Sequence, residues 1–366
     1  LAWPDMRPGR HGLVNGALMT TIGRMIRSFG RAIPVFLIMA AAPMVSACGR
    51  LTQSTQQPVG DNAQQIQNLF MPILWIAVVI FVGVQSFLIY SIVRFRRRSD
   101  TDPLPVQVHG NPRLEALWTL APAVIVVVVA VMTFRTIIHQ AQPPPDGSLK
   151  VNVVGHQWWW EFEYPELGIV TANELWVPVG TTVDLSIESN DVIHSFWFPQ
   201  LAGKIDAVPG RTNKLHFTVP VSGAGRYQGQ CAEFCGLAHA QMKMLLFAVG
   251  PDEFSDWVAS MRSSPDPEGE ARRGAEIFNT FVSADGNGCF ICHTIEGTSA
   301  QGTIGPNLTG LRLRTMIGSA LVPNNAENLA AWIRNPTAIK PGALMPVIGL
   351  GPDEISAVVA YLESSN

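Results

Sequence analysis

Two apolar stretches constrain the fold of this chain more than any other feature of its sequence. They occupy residues 70–93 and 117–134, and each is long enough to cross a bilayer as a helix. The connection between them carries the basic run RFRRR at residues 94–98, and an excess of positive charge marks the cytoplasmic side of a membrane protein. The sequence therefore predicts a two-helix transmembrane hairpin over residues 66–140, with everything that follows on the outer face.

The chain before this hairpin has the layout of an export signal. Basic residues precede an apolar stretch at residues 33–45, and the tetrad VSAC, which ends at Cys48, resembles a bacterial lipobox. We expect residues 1–47 to be removed as a lipoprotein-type signal peptide, leaving residues 48–65 as an outer segment with lipid on Cys48. A retained spanning helix is the alternative, although this apolar stretch is short and contains two prolines.

Charge and cysteine usage exclude other classes of protein. The net charge is −3, and the basic residues form no patch interleaved with aromatic side chains, so we expect no nucleic-acid partner. The chain has 5 cysteines, an odd number that cannot make a closed disulfide framework. These cysteines therefore need a separate explanation in each local context.

The region after residue 147 changes to β-forming sequence. Short alternating runs at residues 149–164, 181–189 and 211–220 are separated by Gly, Pro and Asn. They predict an all-β sandwich or barrel over residues 148–262 that closes with a short helix. A polar linker, SSPDPEGE at residues 263–270, then indicates a domain boundary.

The last part of the chain, residues 271–366, has the pattern of a small all-α domain. A helix, a Gly-rich loop around CFICH and a long irregular stretch precede an apolar helical pattern that starts at Pro352. A core this thin usually needs a cofactor to fill it.

The segment QCAEFCGLAHAQM at residues 230–242 concentrates soft metal ligands, and this combination favours copper. Cys235, His239 and Met242 would suit a single copper ion, with His194 from an earlier loop as second imidazole. Cys231 is then left over, unless both sulfurs bridge a pair of copper ions. A full set of protein ligands leaves no open position for substrate, which favours electron transfer.

Three other arrangements of this segment stay open at the level of sequence. Structural zinc could use Cys231, Cys235 and His239, although zinc does not take a thioether. The two cysteines could also form a disulfide in an oxidising compartment. A single copper ion would leave one thiol without a role.

The segment CFICH at residues 289–293 is the attachment pattern of a c-type haem, with Cys289 and Cys292 on the vinyl groups and His293 on the iron. A redox-active CxxC pair is the alternative, but it does not require the histidine. The second axial ligand is expected to be Met345 in GALMP, with Met316 as its competitor.

Two segments of the chain resemble those of a known family. DVIHSFWFP at residues 191–199, followed by CAEFCGLAHAQM, is similar to the CuA-binding domain of cytochrome c oxidase subunit II, and the likeness extends over the hairpin and the β domain. The family's fold there is a cupredoxin-type Greek-key barrel, and the last domain resembles class I cytochromes c. The resemblance implies binuclear copper on His194, Cys231, the carbonyl of Glu233, Cys235, His239 and Met242.

The resemblance also implies roles outside the copper ligands. Trp158 matches the tryptophan at which electrons enter, and we expect it to share a strand face with Trp160. The Glu233 carboxylate matches a ligand of Mg²⁺ at the interface with subunit I. Glu115 matches the entrance of a proton pathway, and the Pro306 carbonyl matches the acceptor that orients the haem histidine. Packing for Trp158 and snorkelling for Glu115 are the simpler alternatives.

The whole mature chain resembles an oxidase subunit II fused to cytochrome c, from a bacterial plasma membrane. This resemblance implies that electrons pass from haem c to CuA and on to the haem-copper centre of subunit I, which reduces oxygen to water. The implied partners are subunit I, subunit III, membrane lipid, and an external cytochrome c or cytochrome bc complex as donor. The spanning stretches contain no histidine, so oxygen chemistry belongs to subunit I.

Two alternative functions remain at this level. A CuA subunit of a nitric oxide reductase would need nearly the same residues. A free-standing membrane electron carrier would not need Glu115 or Glu233, whose implied roles both require subunit I.

Overall fold

The computed structural model describes residues 53–96, 99, 106–107, 109–263 and 266–364, all within one compact unit. The expected signal peptide, Cys48, and Arg97 and Arg98 of the basic connection lie outside these described residues. The predicted hairpin is confirmed by helices α1 (Asp61–Arg94) and α2 (Pro112–Gln140). Both are long and apolar enough to cross a membrane.

Both helices extend beyond their apolar stretches because polar residues hold their ends. Asn111 caps α2, since its side chain accepts hydrogen bonds from the backbone N–H groups of Arg113 and Leu114. At the start of α1, the Asp61 carboxylate accepts a hydrogen bond from the backbone N–H of Thr218, 2.7 Å away. The hairpin is therefore attached directly to the domain that follows it.

The β domain consists of two five-stranded sheets that share one hydrophobic core. One sheet has the order β3-β2-β1-β5-β8 and the other has the order β4-β10-β9-β6-β7. Pairs β1/β5 and β4/β10 are parallel, and the other pairs are antiparallel. The strands are β1 (Leu149–His156), β2 (Trp159–Tyr164), β3 (Ile169–Ala172), β4 (Glu174–Pro178), β5 (Thr182–Ser189), β6 (His194–Trp197), β7 (Ile205–Ala207), β8 (Asn213–Thr218), β9 (Gly225–Cys231) and β10 (Lys243–Val249).

Period-two alternation explains why these segments form a sandwich. Along β5, Val183, Leu185 and Ile187 are fully buried, while the residues between them face outward. Helix α3 (Pro251–Met261) closes the domain, and its Trp257 stacks on Trp176 of β4 with ring centroids 5.7 Å apart. The predicted all-β domain with a terminal helix is confirmed.

The C-terminal domain is a small helical unit around a separate core. Helix α4 includes the last two residues of the expected linker, because Gly269 and Glu270 already form its first turn and Glu268 is its N-cap. Its Gly274 permits close packing on α8, since an added Cβ would lie 1.9 Å from the carbonyl oxygen of Ala357. The elements are α4 (Gly269–Thr280), α5 (Cys289–Cys292), β11 (Met316–Ile317), β12 (Val322–Pro323), α6 (Ala326–Arg334), α7 (Pro336–Ile339) and α8 (Pro352–Ser364).

Candidate metal centre and haem cavity

Five soft donors converge at one end of the β domain. Cys231 ends β9 and Cys235 lies in the following loop, with their sulfur atoms 3.8 Å apart. The Sγ atom of Cys231 is 3.9 Å from Nδ1 of His194, at the start of β6. The Sγ atom of Cys235 is 3.6 Å from Nδ1 of His239 and 3.8 Å from Sδ of Met242.

These separations fit donors that share metal ions. Metal–thiolate bonds of about 2.3 Å place two sulfurs on one ion at most about 4.6 Å apart. A disulfide would need about 2.05 Å, and Cys231 and Cys235 are both free thiols in the structure. The carbonyl oxygen of Glu233 lies 3.2 Å from Sγ of Cys231, so it completes the donor set that the sequence predicts. With a thioether and two thiolates, this set suits copper better than zinc.

Backbone hydrogen bonds of the strand ladder hold this donor set in place. Cys231 is paired with Phe196 between β9 and β6, and its backbone N–H donates to the carbonyl of Met242 at 2.9 Å. The backbone N–H of Met242 in turn donates to the carbonyl of His239 at 3.1 Å. Donors from the loop and from β6 are thus fixed by backbone hydrogen bonds, which satisfies the requirement for a preformed site.

Proton positions in the cluster favour metal binding. The hydrogen bond from Cys235, followed by the one with His194, lowers the pKa of the Cys231 thiol against the opposing effect of burial. The same pairing raises the pKa of Cys235. The lowered pKa favours the thiolate of Cys231, and the thiolate is the form that binds a metal.

Asp191 is a supporting residue that the sequence did not single out. Its Oδ1 atom lies 2.7 Å from Nε2 of His194, which orients the ring with Nδ1 toward Cys231. Its Oδ2 atom accepts a hydrogen bond from the backbone N–H of Gln157 at 2.6 Å. The spacing in DVIH could have identified Asp191, because it places a carboxylate three residues before a histidine ligand. Ligating histidines usually donate their other N–H to such a group.

Trp158 does not lie on a strand, so its expected placement beside Trp160 is wrong. The last β1–β2 pair is His156 with Trp159, and the chain reverses through Gln157 and Trp158. This turn is anchored on the metal loop, since Nε1 of Trp158 donates to the carbonyl of Cys235 at 2.9 Å. The side chain of Gln157 donates to the same carbonyl at 2.7 Å. The alternation of β2 begins only at Trp159, so Trp158 belongs to the turn.

A large apolar cavity in the C-terminal domain contains the predicted haem-attachment residues. Cys289, Cys292 and His293 line it, and α5 forms a single helical turn under them. Trp158 and Trp159 of the β domain line the same cavity. The cavity is therefore completed by side chains of two domains.

His293 is held in a defined orientation. Its Nδ1 atom lies 2.7 Å from the carbonyl oxygen of Pro306, so this nitrogen carries the proton and Nε2 keeps its lone pair. Burial lowers the pKa of His293, and the neutral imidazole is the form that ligates iron. Gly305 is needed beside this ring, because an added Cβ would lie 2.5 Å from its Cε1 atom. These residues fit a bound haem.

Met345 and Met316 both line the cavity, so the lining alone does not choose the second axial ligand. The backbone N–H of Met316 donates to Glu174 of the β domain at 2.9 Å, whereas Met345 lies in an irregular segment. Met345 stays the predicted ligand.

Two glutamates with implied roles lie at the surface. Oε1 of Glu115 accepts a hydrogen bond from the backbone N–H of Asn111 at 3.1 Å, in the first turn of α2. The Glu233 side chain is exposed. Within the described ranges, the potential metal-binding cluster of His, Cys, Asp and Glu comprises His194, Cys231 and Cys235, and it does not include the Glu233 carboxylate.

Comparison with known proteins covers nearly the whole chain. Family models match for the cytochrome c oxidase subunit II transmembrane domain over residues 50–136, its periplasmic domain over 168–249, and cytochrome c over 271–366. Cytochrome c oxidase subunit 2 of Alkalihalophilus pseudofirmus is 36% identical over 331 residues, 88% of this chain and 93% of that protein. The Bacillus subtilis protein of the same name is 32% identical over 350 residues, 90% of this chain and 96% of its own.

Among solved structures, the periplasmic domain of subunit II of cytochrome oxidase from Bradyrhizobium japonicum matches at 32% identity. It covers 32% of this chain and 96% of its own, with a TM-score of 0.31.

Proposed function

Because the chain belongs to the cytochrome c oxidase subunit II family and ends in a cytochrome c domain, we propose that it is the subunit through which electrons enter a respiratory oxidase. Electrons would enter at a covalent haem c, pass to binuclear copper, and continue to subunit I, which reduces oxygen to water. When bound, both groups supply reversible one-electron chemistry.

The chain's own residues define where each group would be held. Copper would be held by the donors described above: His194, Cys231, the carbonyl of Glu233, Cys235, His239 and Met242. The haem would be attached through Cys289 and Cys292, with His293 and Met345 on its two faces. Since each set leaves no position for a substrate, neither site would perform bond-making chemistry.

The observation that carries this proposal is the position of Trp158. Its side chain lines the haem cavity, and its Nε1 atom donates to the carbonyl of the copper ligand Cys235. A single buried residue thus contacts both sites, with 6% of its surface exposed. This contact would give electrons a short route from one site to the other.

Neighbouring groups keep both imidazoles in the state that ligation requires. Asp191 accepts a hydrogen bond from the Nε2–H group of His194, and the Pro306 carbonyl accepts one from the Nδ1–H group of His293. Each interaction fixes the tautomer and limits rotation of the ring. Little rearrangement is then needed when an electron arrives.

The remaining roles depend on partner subunits. The hairpin would hold the chain in a bacterial plasma membrane, with both folded domains on the outer face and lipid on Cys48. Glu115 would lie at a proton-pathway entrance beside subunit I, and Glu233 would bind Mg²⁺ at that interface. Subunit III would complete the complex, and an external cytochrome c or cytochrome bc complex would donate electrons.

Isolation of the intact complex in mild detergent tests this function. We expect a large haem-bearing subunit to copurify, copper and covalent haem to be present on this chain, and a reduced cytochrome donor to drive oxygen consumption. Recovery of the chain without such a partner would favour a free-standing carrier. Reduction of nitric oxide in place of oxygen would assign the complex to the other enzyme class.

A further inference from the structure

Lys340 of the C-terminal domain is buried against the β domain. Only 4% of its surface is exposed, and its Nζ atom donates to the carbonyl oxygen of Trp158 at 2.5 Å and to Oγ of Ser319 at 2.7 Å. Ser319, which is 2% exposed, donates its hydroxyl proton to the same carbonyl at 2.8 Å. Two side chains of one domain therefore hold one backbone atom of the other.

A lysine is rarely this buried without a specific partner. Burial lowers the pKa of Lys340 to about 7, which reflects the cost of removing its charge from water. The acceptor on Trp158 exists at this place only when the two domains are in contact. The hydrogen bond from Lys340 to Trp158 is therefore a property of the docked pair and not of the C-terminal domain alone.

Ser319 occupies a backbone conformation that favours glycine. Its φ angle is +68°, in the left-handed region where a side chain is disfavoured. Serine is nevertheless present, and its hydroxyl is the group that contacts Trp158. The local strain is therefore offset by a contact between domains.

Glu174, the first residue of β4, makes a second attachment between the two domains. It is 1% exposed, and its Oε1 atom accepts hydrogen bonds from three donors in the C-terminal domain. These donors are the backbone N–H of Thr315 at 2.8 Å, its hydroxyl at 2.7 Å, and the backbone N–H of Met316 at 2.9 Å. Leaving these donors without an acceptor would cost much more than the net gain of one exposed hydrogen bond.

We propose that Glu174, Ser319 and Lys340 form an interdomain clamp that fixes the haem cavity on the Trp158 turn. These are positioning residues, and the inference rests on the proposed function. The transfer moves one electron from reduced haem to the oxidised copper pair, with no bond made or broken. The clamp keeps the two domains in one relative position, so this transfer takes place at a fixed geometry. A linker alone would raise the local concentration of the domain without orienting it.

The test compares two clamp variants with matched controls in the intact complex. Glu174→Leu removes the acceptor of three donors, whereas Glu174→Gln keeps an acceptor oxygen. Lys340→Ala combined with Ser319→Gly leaves the Trp158 carbonyl without either donor. Ser319→Gly alone suits the local backbone, so it keeps the test valid if the double variant does not fold. Lys243→Ala, at an exposed lysine of β10, is the control for loss of a lysine.

Two readouts separate docking from folding of the sites. The first is hydrogen exchange at the amides of Thr315 and Met316, which does not depend on activity. The second is the rate at which photoreduced haem passes its electron to copper. We expect faster exchange in Glu174→Leu and at least about tenfold slower transfer in each clamp variant, because one lost buried hydrogen bond corresponds to about tenfold and each variant loses more than one. Lys243→Ala should behave like the unmodified chain, Glu174→Gln should change exchange and transfer less than Glu174→Leu because it keeps the acceptor oxygen, and copper and haem spectra should be unchanged.

Outcomes for the clamp and for the proposed function are distinct. The clamp would be overturned if hydrogen exchange and electron transfer were unchanged in Glu174→Leu and in the Lys340 and Ser319 variants. The proposed function would not be affected by that result. Absence of haem-to-copper transfer in the unmodified complex would overturn the proposed function instead. Accelerated exchange in Glu174→Leu would still support the clamp in that case.

Discussion

The copper loop and the haem cavity are built in opposite ways. Backbone ladders fix the copper donors, so that Cys231, Cys235, His194 and His239 already lie within bonding reach of shared ions. The haem cavity is an apolar space whose wall includes Trp158 and Trp159 of another domain. The first site is a property of one sheet and one loop, and the second is a property of two domains in contact.

This difference indicates which site depends on its surroundings. Close-packed sheets resist rearrangement, so the copper donors should tolerate loss of the C-terminal domain's contacts. The small helical domain has a thin core that a bound group must complete. We therefore expect local substitutions to damage copper binding, and substitutions at the domain contact to damage transfer.

Cys231→Ser should have the largest effect, because it removes one of the two sulfurs that are proposed to hold the copper pair. We expect complete loss of an electron-spin signal shared by two coppers, while the haem spectrum stays unchanged. Cys289→Ser is the reciprocal control, with covalent haem attachment impaired and the copper signal retained. If the shared signal survives in Cys231→Ser, the binuclear assignment is wrong.

Met345→Leu should remove the absorption band of the iron–methionine bond, since leucine has no donor atom. Met316→Leu, which changes a second lining residue in the same way, should leave the band in place. The visible and near-infrared spectrum of the oxidised chain is the measurement. The reverse pattern would transfer the axial role to Met316.

Asp191→Asn should weaken copper binding by about 10- to 100-fold, as expected when the partner of a ligating histidine is altered. Its effect is smaller than that of Cys231→Ser, because every donor atom remains. Copper titration of the metal-depleted chain measures it. Asp184→Asn, on β5 and away from the cluster, is the control, and equal affinities for both variants would exclude the orienting role.

Acid should weaken the β domain through His156, which stacks on Trp159 with ring centroids 4.1 Å apart. Burial lowers the pKa of His156 from 6.5 to about 4. The unfolded chain then takes up the proton first as pH falls, so this contribution to stability is present above pH 6.5 and lost towards pH 4. Denaturant unfolding measures the free energy of unfolding at each pH. This free energy should fall less between pH 6.5 and pH 4 in His156→Phe than in the unmodified chain. An equal fall in both would show that His156 does not cause the acid effect.

Sequence motifs predicted the local chemistry because the ligands lie close together in the chain. CAEFCGLAHAQM contains five of the six proposed copper donors, and CFICH contains the haem-attachment residues. The hairpin, the β domain and the helical domain followed from apolar length and from alternation. The proposal of two copper ions followed from the second cysteine, for which a single copper ion has no use.

The contact between domains could not be inferred in this way. Lys340 and Trp158 are 182 residues apart, and Glu174 and Thr315 are 141 apart, so no local pattern links them. The turn at Trp158 was missed because the alternation of apolar and polar residues does not mark the residue at which a hairpin reverses. Both features depend on tertiary packing.

Transient absorption of the intact complex after one-electron photoreduction of the haem tests the central claim most directly. We predict first-order reoxidation of the haem with matching reduction of copper, at a rate independent of protein concentration and abolished in Cys231→Ser. A rate that rises with protein concentration, or reoxidation that persists without copper, would contradict transfer within one docked chain.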